Sequence, residues 1–160
     1  MAKVYLKGLP SLKRKLIRLK EDTMPTVRPA MEQAAEMIAA TMRTLVPVED
    51  GDLRKAIGWT WGDAPKGSIS FSHTVAGNKI TIFAGNDDAF YARFVEFGTA
   101  PHAIMSGGKT RFAKKGGSRV FQHPGGRARP FFYPAYRMHK KQVKTMIAQQ
   151  IRIAVQKAVR

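Results

Sequence analysis

Residues 68–84 read Ser-Ile-Ser-Phe-Ser-His-Thr-Val-Ala-Gly-Asn-Lys-Ile-Thr-Ile-Phe-Ala, and this stretch decides the fold class. Polar and apolar residues alternate over residues 68–75, and a second apolar-rich run follows over residues 79–84. Between the two runs lies Gly77-Asn78, a pair that favours a tight connection. Two such runs joined by a short turn predict a β-hairpin. The chain therefore contains at least one antiparallel pair of strands.

Long helical patterns flank this hairpin on both sides. Upstream, apolar residues recur every three or four positions over residues 27–45, until Pro47 ends the pattern. Downstream, a similar apolar stripe runs over residues 136–158. This spacing places the apolar side chains on one face of a helix. We expect long helices over residues 30–45 and 135–159. The predicted fold class is α+β, with two long helices packed on a small antiparallel β-sheet.

Shorter elements connect these parts. A basic amphipathic helix is predicted to end near Asp22, before a break over residues 23–26 that contains Pro25. Residues 53–57 form either one helical turn or the beginning of a strand. Residues 89–97 form either a helical turn or a strand, and a short helix is favoured because aromatic residues recur there at spacings of four and three. These aromatic residues are Phe90, Phe94 and Phe97.

A long basic Gly-rich loop is predicted over residues 105–127. It contains three Gly-Gly pairs and six Lys or Arg residues without any acidic residue. Glycine raises the entropy cost of ordering, and like charges oppose compaction. We expect the loop to be mobile in the free protein and to become ordered on binding, against a neighbouring copy, an acidic protein surface or DNA. The chain thus divides into a basic N-terminal helix or arm over residues 1–22 and a single α+β domain over residues 23–160.

The charge of the chain is large and unevenly placed. The 160 residues, a length typical of one domain, have a formal net charge of +17 and no cysteine. All eleven acidic residues lie between Glu21 and Glu96, whereas fourteen Lys or Arg residues follow Glu96. This asymmetry favours a polyanionic neighbour, either nucleic acid or an acidic protein surface. A solvated basic surface without a specific partner is the alternative. The lack of cysteine excludes disulfides and cysteine-based zinc sites, and it fits folding in cytoplasm.

The sequence lacks the patterns of known catalytic and metal sites. Gly108-Lys109-Thr110 resembles the end of a phosphate-binding loop, but Ala103 stands where that loop needs glycine. The acidic clusters at residues 49–52 and 87–88 lie beside glycine or in predicted turns, where Asp is favoured by local hydrogen bonds. We therefore expect no enzymatic activity, no cofactor and no metal. The histidines are scattered without a metal-binding spacing: His73, His102, His123 and His139.

Three stretches resemble signatures of one protein family. Residues 46–57 resemble Pro-Val-x-x-Gly-x-Leu-Arg-x-x-Ile, with Asp50 where Thr is common. Residues 91–99 resemble Tyr-Ala-x-x-Val-Glu-Phe-Gly-Thr, and residues 128–135 resemble Ala-x-Pro-Phe-x-x-Pro-Ala. In this order and spacing, over roughly residues 20–160, the chain resembles the neck proteins of long-tailed bacteriophages, also described as minor tail or tail-completion proteins.

The resemblance implies a structural, non-enzymatic virion protein at the head–tail junction, needed for joining tail to head. It implies a homo-oligomeric ring, with a hexamer favoured, that contacts other head–tail connector and tail-tube proteins. Such a protein is made in the cytoplasm of the host bacterium and has no membrane contact. Non-specific contact with DNA in the channel is a further expectation. A neck ring beside the head-closure protein and a terminator of the tail tube both remain open. The alternative function is a small basic nucleic-acid-binding protein.

Candidate assembly residues come from the basic loop and from the second and third motifs. Glu96 is either a half-exposed helix residue or a partner in an ion pair or N-terminal cap contact with Arg93, Arg129 or a neighbouring subunit. Gly98 is expected to take a positive φ. The aromatic block over residues 131–133 serves either core packing or a subunit interface. The candidates are Arg93, Glu96, Gly98, Lys109, Arg111, Lys114, Lys115, Arg119, Arg129, Phe131, Phe132 and Tyr133.

Overall fold

A computed structural model of the chain describes residues 9–106 and 119–159 and confirms the α+β class, with long helices and antiparallel sheets. Residues 107–118 lie outside the described residues, so the predicted Gly-rich loop is described only at its two ends. In chain order the elements are α1 (Leu9–Leu45), α2 (Asp52–Lys55), β1 (Ile57–Trp61), β2 (Ile69–Val75), β3 (Asn78–Ala84), α3 (Ala92–Phe97), β4 (His102–Ser106), β5 (Arg119–His123) and α4 (Phe132–Val159).

Helix α1 is continuous over 37 residues, so the predicted break over residues 23–26 is wrong. Pro25 and Pro29 lie inside the helix, and both are exposed. A proline removes one backbone donor, which usually ends or bends a helix. Here Val27 and Met31 are buried on the opposite side. Packing of this face against the rest of the molecule stabilises the helix across both prolines.

The first three turns of α1 extend beyond the packed part of the molecule. Every residue from 9 to 18 is exposed, including several leucines of the apolar stripe. The predicted boundary between residues 22 and 23 therefore falls inside one continuous helix. The predicted helix over residues 30–45 is the buried second half of α1.

The main sheet is antiparallel and has the strand order β1-β3-β2. Its central hairpin, β2 with β3, confirms the strand pair predicted over residues 68–84. The connection is Ala76-Gly77, one residue earlier than predicted, and both residues have positive φ (49° and 85°). Two positive φ values suit the twist of a hairpin. Residues 53–57 adopt both predicted conformations in succession, because α2 ends at Lys55 and β1 begins at Ile57.

The two long helices run antiparallel on one side of this sheet. The His139 ring, near the beginning of α4, lies 2.7 Å from the hydroxyl of Thr41, near the end of α1. The core between helices and sheet contains Ile38 from α1, Ile82 from β3 and Ile147 from α4. The apolar stripes predicted over residues 27–45 and 136–158 therefore supply the helical side of one core.

A second, two-stranded sheet corrects the loop predicted over residues 105–127. Strand β4 pairs antiparallel with β5, so Arg119–His123 is a strand and not a loop. Ile104 and Phe121 face each other across this pair and are exposed. Strand β5 could not be predicted from composition, because its five residues have ordinary β-propensity and lie beside a glycine-rich segment. Pairing with β4 supplies the backbone hydrogen bonds that the segment cannot make alone.

Candidate functional site

Helix α3 presents a row of aromatic side chains to solvent. The exposed fractions of Phe90, Phe94 and Phe97 are 58%, 50% and 59%. Their spacing of four and three places them on one side of α3 and of the turn before it, and the Phe90 and Phe94 ring centroids are 6.5 Å apart. The short helix predicted over residues 89–97 is confirmed, but the stripe that predicted it is exposed. We call these three residues the aromatic row.

On the opposite side of α3, Glu96 caps helix α4. Its carboxylate accepts hydrogen bonds from the backbone N–H groups of Phe131 (2.7 Å), Phe132 (2.8 Å) and Tyr133 (3.1 Å), and the residue is 3% exposed. A negative charge that accepts the free N–H groups of a first helical turn stabilises the helix. The half-exposed alternative for Glu96 is wrong. Glu96 makes an N-terminal cap contact, but its donors are the backbone N–H groups of residues 131–133 and not the predicted Arg93 or Arg129.

Gly98 ends α3 and turns the chain towards the segment before α4. Its φ is +73°, as predicted, and its N–H donates to the carbonyl of Phe94 at 2.8 Å. A Cβ atom at this position would lie 2.6 Å from the carbonyl oxygen of Gly126. Thr99 then forms backbone hydrogen bonds in both directions with Gly126, at 2.9 and 3.1 Å. Glycine is needed here for both its φ and this close approach.

The aromatic block over residues 131–133 divides between core and surface. Phe131 and Phe132 are fully buried, and the Phe132 ring packs edge-on against Phe71 with centroids 5.5 Å apart. Core packing is therefore correct for these two, and the structure removes them from the accessible interface candidates. Tyr133 is 40% exposed, and its ring centroid lies 5.9 Å from that of Phe97. Tyr133 thus extends the aromatic row onto α4.

The other candidate assembly residues are distributed as follows. Arg93 and Arg129 are exposed, and the backbone N–H of Arg129 donates to the carbonyl of Val95 at 2.8 Å. Arg119 lies in β5. The remaining basic candidates lie outside the described residues: Lys109, Arg111, Lys114 and Lys115.

A groove beside the aromatic row brings all three motifs together. It has a volume of about 560 Å³. The turn over residues 49–52, from the first motif, lines the groove and includes Glu49 and Asp50. Tyr91 and Phe94, from the second motif, and Arg129, from the third, line it as well. Local patterns in the sequence could not show this convergence, because 33 residues separate the first motif from the second and 28 residues separate the second from the third.

The acidic clusters are in turns, as predicted. Gly51 has a φ of +82°, and the side chain of Asn86 accepts the backbone N–H groups of Asp88 and Ala89. At one end of the second sheet, where His102 pairs with His123, the two rings stack with centroids 5.0 Å apart. Within residues 9–106 and 119–159, no group of three or more His, Asp or Glu side chains could hold a metal ion. No helix in that part of the chain is long and apolar enough to cross a membrane.

An exposed aromatic row on a well-packed α+β subunit is typical of proteins that bind other proteins. The comparison with protein families gives the class. A family model described as "Bacteriophage HK97-gp10, putative tail-component" matches residues 11–98, which is more than half of the chain. The chain belongs to this HK97-gp10-like family of phage tail components. The match contains the first motif and nearly all of the second, and it ends before the third. Searches of curated proteins and of solved structures found no match.

Proposed function

We propose that this protein is a structural subunit of the head–tail junction of a tailed bacteriophage, which forms a closed ring and joins tail to head. Its place is the virion, either as a neck ring or as a terminator of the tail tube. Its partners are further copies of itself, with a hexamer favoured, and the neighbouring connector and tail-tube proteins. Family membership supports the phage part of this proposal.

The aromatic row carries the assembly part of the proposal. Phe90, Phe94 and Phe97 are each at least half exposed on α3 and the turn before it, and Glu96 on the other face of α3 fixes the helix in place. Exposed aromatic side chains cost free energy in water, and aromatic residues are enriched in the cores of protein interfaces. A rigid row of this kind gives a partner a preformed surface, so little side-chain entropy is lost on binding.

A closed ring of identical copies is the form that we expect for a protein placed at the end of a tube. Closed rings of identical subunits are a common solution for soluble oligomers. A single subunit with an exposed two-stranded sheet and an exposed aromatic row leaves both surfaces open to self-association. In a ring, each subunit covers these surfaces with its neighbours.

A complementation experiment in the phage tests the proposal. Deletion of the gene should give particles in which heads and tails accumulate separately in electron micrographs. The wild-type gene should restore joined particles. Phe94→Ser should not restore them, because it removes an aromatic side chain from the row while the exposed position tolerates a polar residue in the free subunit.

Met138→Ser is the matched control, because it removes an apolar side chain from α4 that is exposed at least as much as Phe94. We expect it to restore joining. Circular dichroism and thermal melting of both purified variants should match the wild type. If the deletion still gives joined, infectious particles, or if mass spectrometry finds no copy of the chain in purified virions, the proposed function is wrong.

A further inference from the structure

The N-terminal arm of α1, residues 9–19, continues an apolar stripe that no part of the chain within residues 9–106 and 119–159 covers. Leu9, Leu12 and Leu16 are exposed, although they follow the three- and four-residue spacing that leads to buried Val27 and Met31 in the same helix. A stripe that is buried in one half of a helix and exposed in the other half is an unpartnered packing surface. The question is which surface covers it.

The charges around the leucine stripe limit the kind of surface that can cover it. The arm contains four Lys or Arg residues and no acidic residue. At about 100° per residue, Lys13 and Lys15 flank the leucine stripe on its two sides, whereas Arg14 and Arg18 point away from it. A partner that covers the stripe must therefore combine apolar side chains with negative charge near Lys13 and Lys15. Two arms cannot cover each other, because their bases would repel.

Most of this subunit's own surface is excluded as a partner for such an arm. Helix α4 contains no acidic residue, and the apolar groove of about 410 Å³ between α1, α4 and the sheet is bordered by Lys140 and Lys144. Among the acidic residues of the described chain, Glu96 is buried as a cap. Four others form ion pairs within the subunit: Glu32, Glu36, Asp52 and Asp63.

The remaining acidic residues, apart from Glu21 and Asp22 next to the arm itself, surround the aromatic row. Glu49 and Asp50 line the groove that also contains Phe94, and Asp87 and Asp88 lie three and two positions before Phe90. No ion pair is formed by these four carboxylates among the described residues, and all four are exposed. Three bases, Arg54, Arg127 and Arg129, line the groove as well, so its negative charge is limited to the turn over residues 49–52.

An arm cannot reach the aromatic row of its own subunit. The turn over residues 49–52 follows the end of α1, and the arm is the other end of the same helix. From Arg14 to Leu45 a continuous helix measures roughly 45 Å at 1.5 Å per residue. The contact must therefore form between two copies, each giving its arm to one neighbour and its aromatic row to another. Such a heterologous contact closes into a ring when the rotation allows it.

We propose that the N-terminal arm of one copy docks on the aromatic row and the acidic turn, residues 49–52, of the next copy. Leu9, Leu12 and Leu16 pack against Phe90 and Phe94, while the bases that flank the stripe meet the carboxylates of the turn. This inference rests on the proposed ring and names the surface that closes it.

Charge reversal on each side of the contact tests this pairing. One variant carries Lys13→Glu and Lys15→Glu, and a second carries Glu49→Lys and Asp50→Lys. Each variant alone, supplied to the phage that lacks the gene, should lower the number of joined particles by roughly tenfold or more, since like charges across an interface oppose binding. Arg14→Glu with Arg18→Glu is the matched control, because it changes the charge equally on the opposite face of the arm. We expect the control to behave as the wild type.

Co-expression of the two defective variants gives the decisive result. Each arm then finds a turn of opposite charge on the other variant, so joined particles should return and contain both chains in similar amounts. If the two variants remain defective together, the arm binds another partner, such as a connector protein or DNA, and the docking proposal is wrong. If each variant alone joins heads to tails as well as the wild type, the proposal is also wrong, while the proposed function stands.

A cysteine cross-link provides a direct readout, because the natural chain has no cysteine. Leu12→Cys combined with Val48→Cys, an exposed position beside the acidic turn that leaves the aromatic row intact, should give a ladder of linked chains in oxidised particles. Leu12→Cys with Gln142→Cys, an exposed position on α4, should give no ladder. Particles that contain the chain but show no ladder with the first pair would overturn the docking proposal. Absence of the chain from particles would instead overturn the proposed function.

Discussion

At the scale of single residues, Glu96 connects two segments that lie more than thirty positions apart. Its carboxylate receives three backbone N–H groups at the beginning of α4, and it is almost completely buried. A buried carboxylate is unfavourable unless its oxygens are saturated with donors, which is the case here. Because α3 carries the aromatic row on its other face, the same residue also fixes the row relative to α4.

The first prediction concerns this cap. Glu96→Ala should lower the free energy of unfolding by roughly 2–4 kcal/mol, because three buried or partly buried N–H groups lose a charged acceptor. Glu96→Gln keeps one acceptor oxygen and should lose less. Urea denaturation at fixed protein concentration measures both. Glu21→Ala, at an exposed position, should stay within about 0.5 kcal/mol of the wild type. An unchanged urea midpoint for Glu96→Ala would show that the cap does not stabilise the fold.

At the scale of elements, two side-chain hydrogen bonds connect helix α1 to strand β1. The indole N–H groups of Trp59 and Trp61 donate to Glu36 and Glu32, each at 2.9 Å. Four residues along a helix rise about 6 Å, and two residues along a strand rise about 6.6 Å. The two spacings agree closely, so both bonds form at once. They set the position of α1 along the sheet and thereby the direction of its arm.

The second prediction is a pH dependence at this contact. The pKa of Glu36 is lowered from its ordinary value of 4.5, mainly because the Arg43 guanidinium donates a hydrogen bond to it at 2.6 Å. A lowered pKa in the folded protein means that the contribution to stability is complete above pH 4.5 and is lost as the pH falls through the lowered pKa. The stability difference between wild type and Glu36→Gln should therefore shrink in acid.

Urea denaturation between about pH 3 and pH 7 measures this difference. The effect should be small, because about half of the Glu36 side chain is exposed and solvent screens the pair. Glu21→Gln, which involves no ion pair in the described residues, is the control for general acid effects. A difference that grows as the pH falls would contradict the assigned sign.

At the scale of the whole molecule, charge is distributed along the long axis of the helix pair. The arm of α1 is basic, the turn after the other end of α1 is acidic, and α4 carries bases without acids. Opposite charge at the two ends of one long helix favours head-to-tail contacts between copies. The exposed bases of α4 favour a polyanionic partner, and the proposed place at the head–tail junction would offer the DNA of the channel.

The third prediction separates the junction protein from a dedicated nucleic-acid-binding protein. The purified chain should bind duplex DNA without sequence preference at low salt, as measured by fluorescence anisotropy of a labelled duplex. If it covers six or more phosphates, the affinity should fall roughly a thousandfold or more towards physiological salt. Lys140→Glu with Lys144→Glu should weaken this binding, whereas Lys13→Glu with Lys15→Glu should mainly impair assembly. Tight DNA binding at physiological salt, together with absence from virions, would favour the nucleic-acid-binding alternative.

Local patterns in the sequence were enough for much of the fold. Alternation over residues 68–84 determined the hairpin, the stripes over residues 27–45 and 136–158 determined the two long helices, and Gly98 determined a positive φ. These features depend on neighbours within a few positions. The break predicted at Pro25 is wrong, because the helix-breaking effect of proline is local. Packing of the opposite face of α1 against distant parts of the chain outweighs it.

Only the tertiary structure decided which faces are covered. The spacing of the aromatic row is the same whether the row is buried or exposed, and burial depends on segments that arrive from elsewhere in the chain. The carboxylate of Glu96 found its partners 35 to 37 residues further on, and β5 became a strand by pairing with β4. The sequence by itself determined the elements and a family resemblance. The surface where the three motifs meet exists only after folding, because it is made of residues that are distant in the chain.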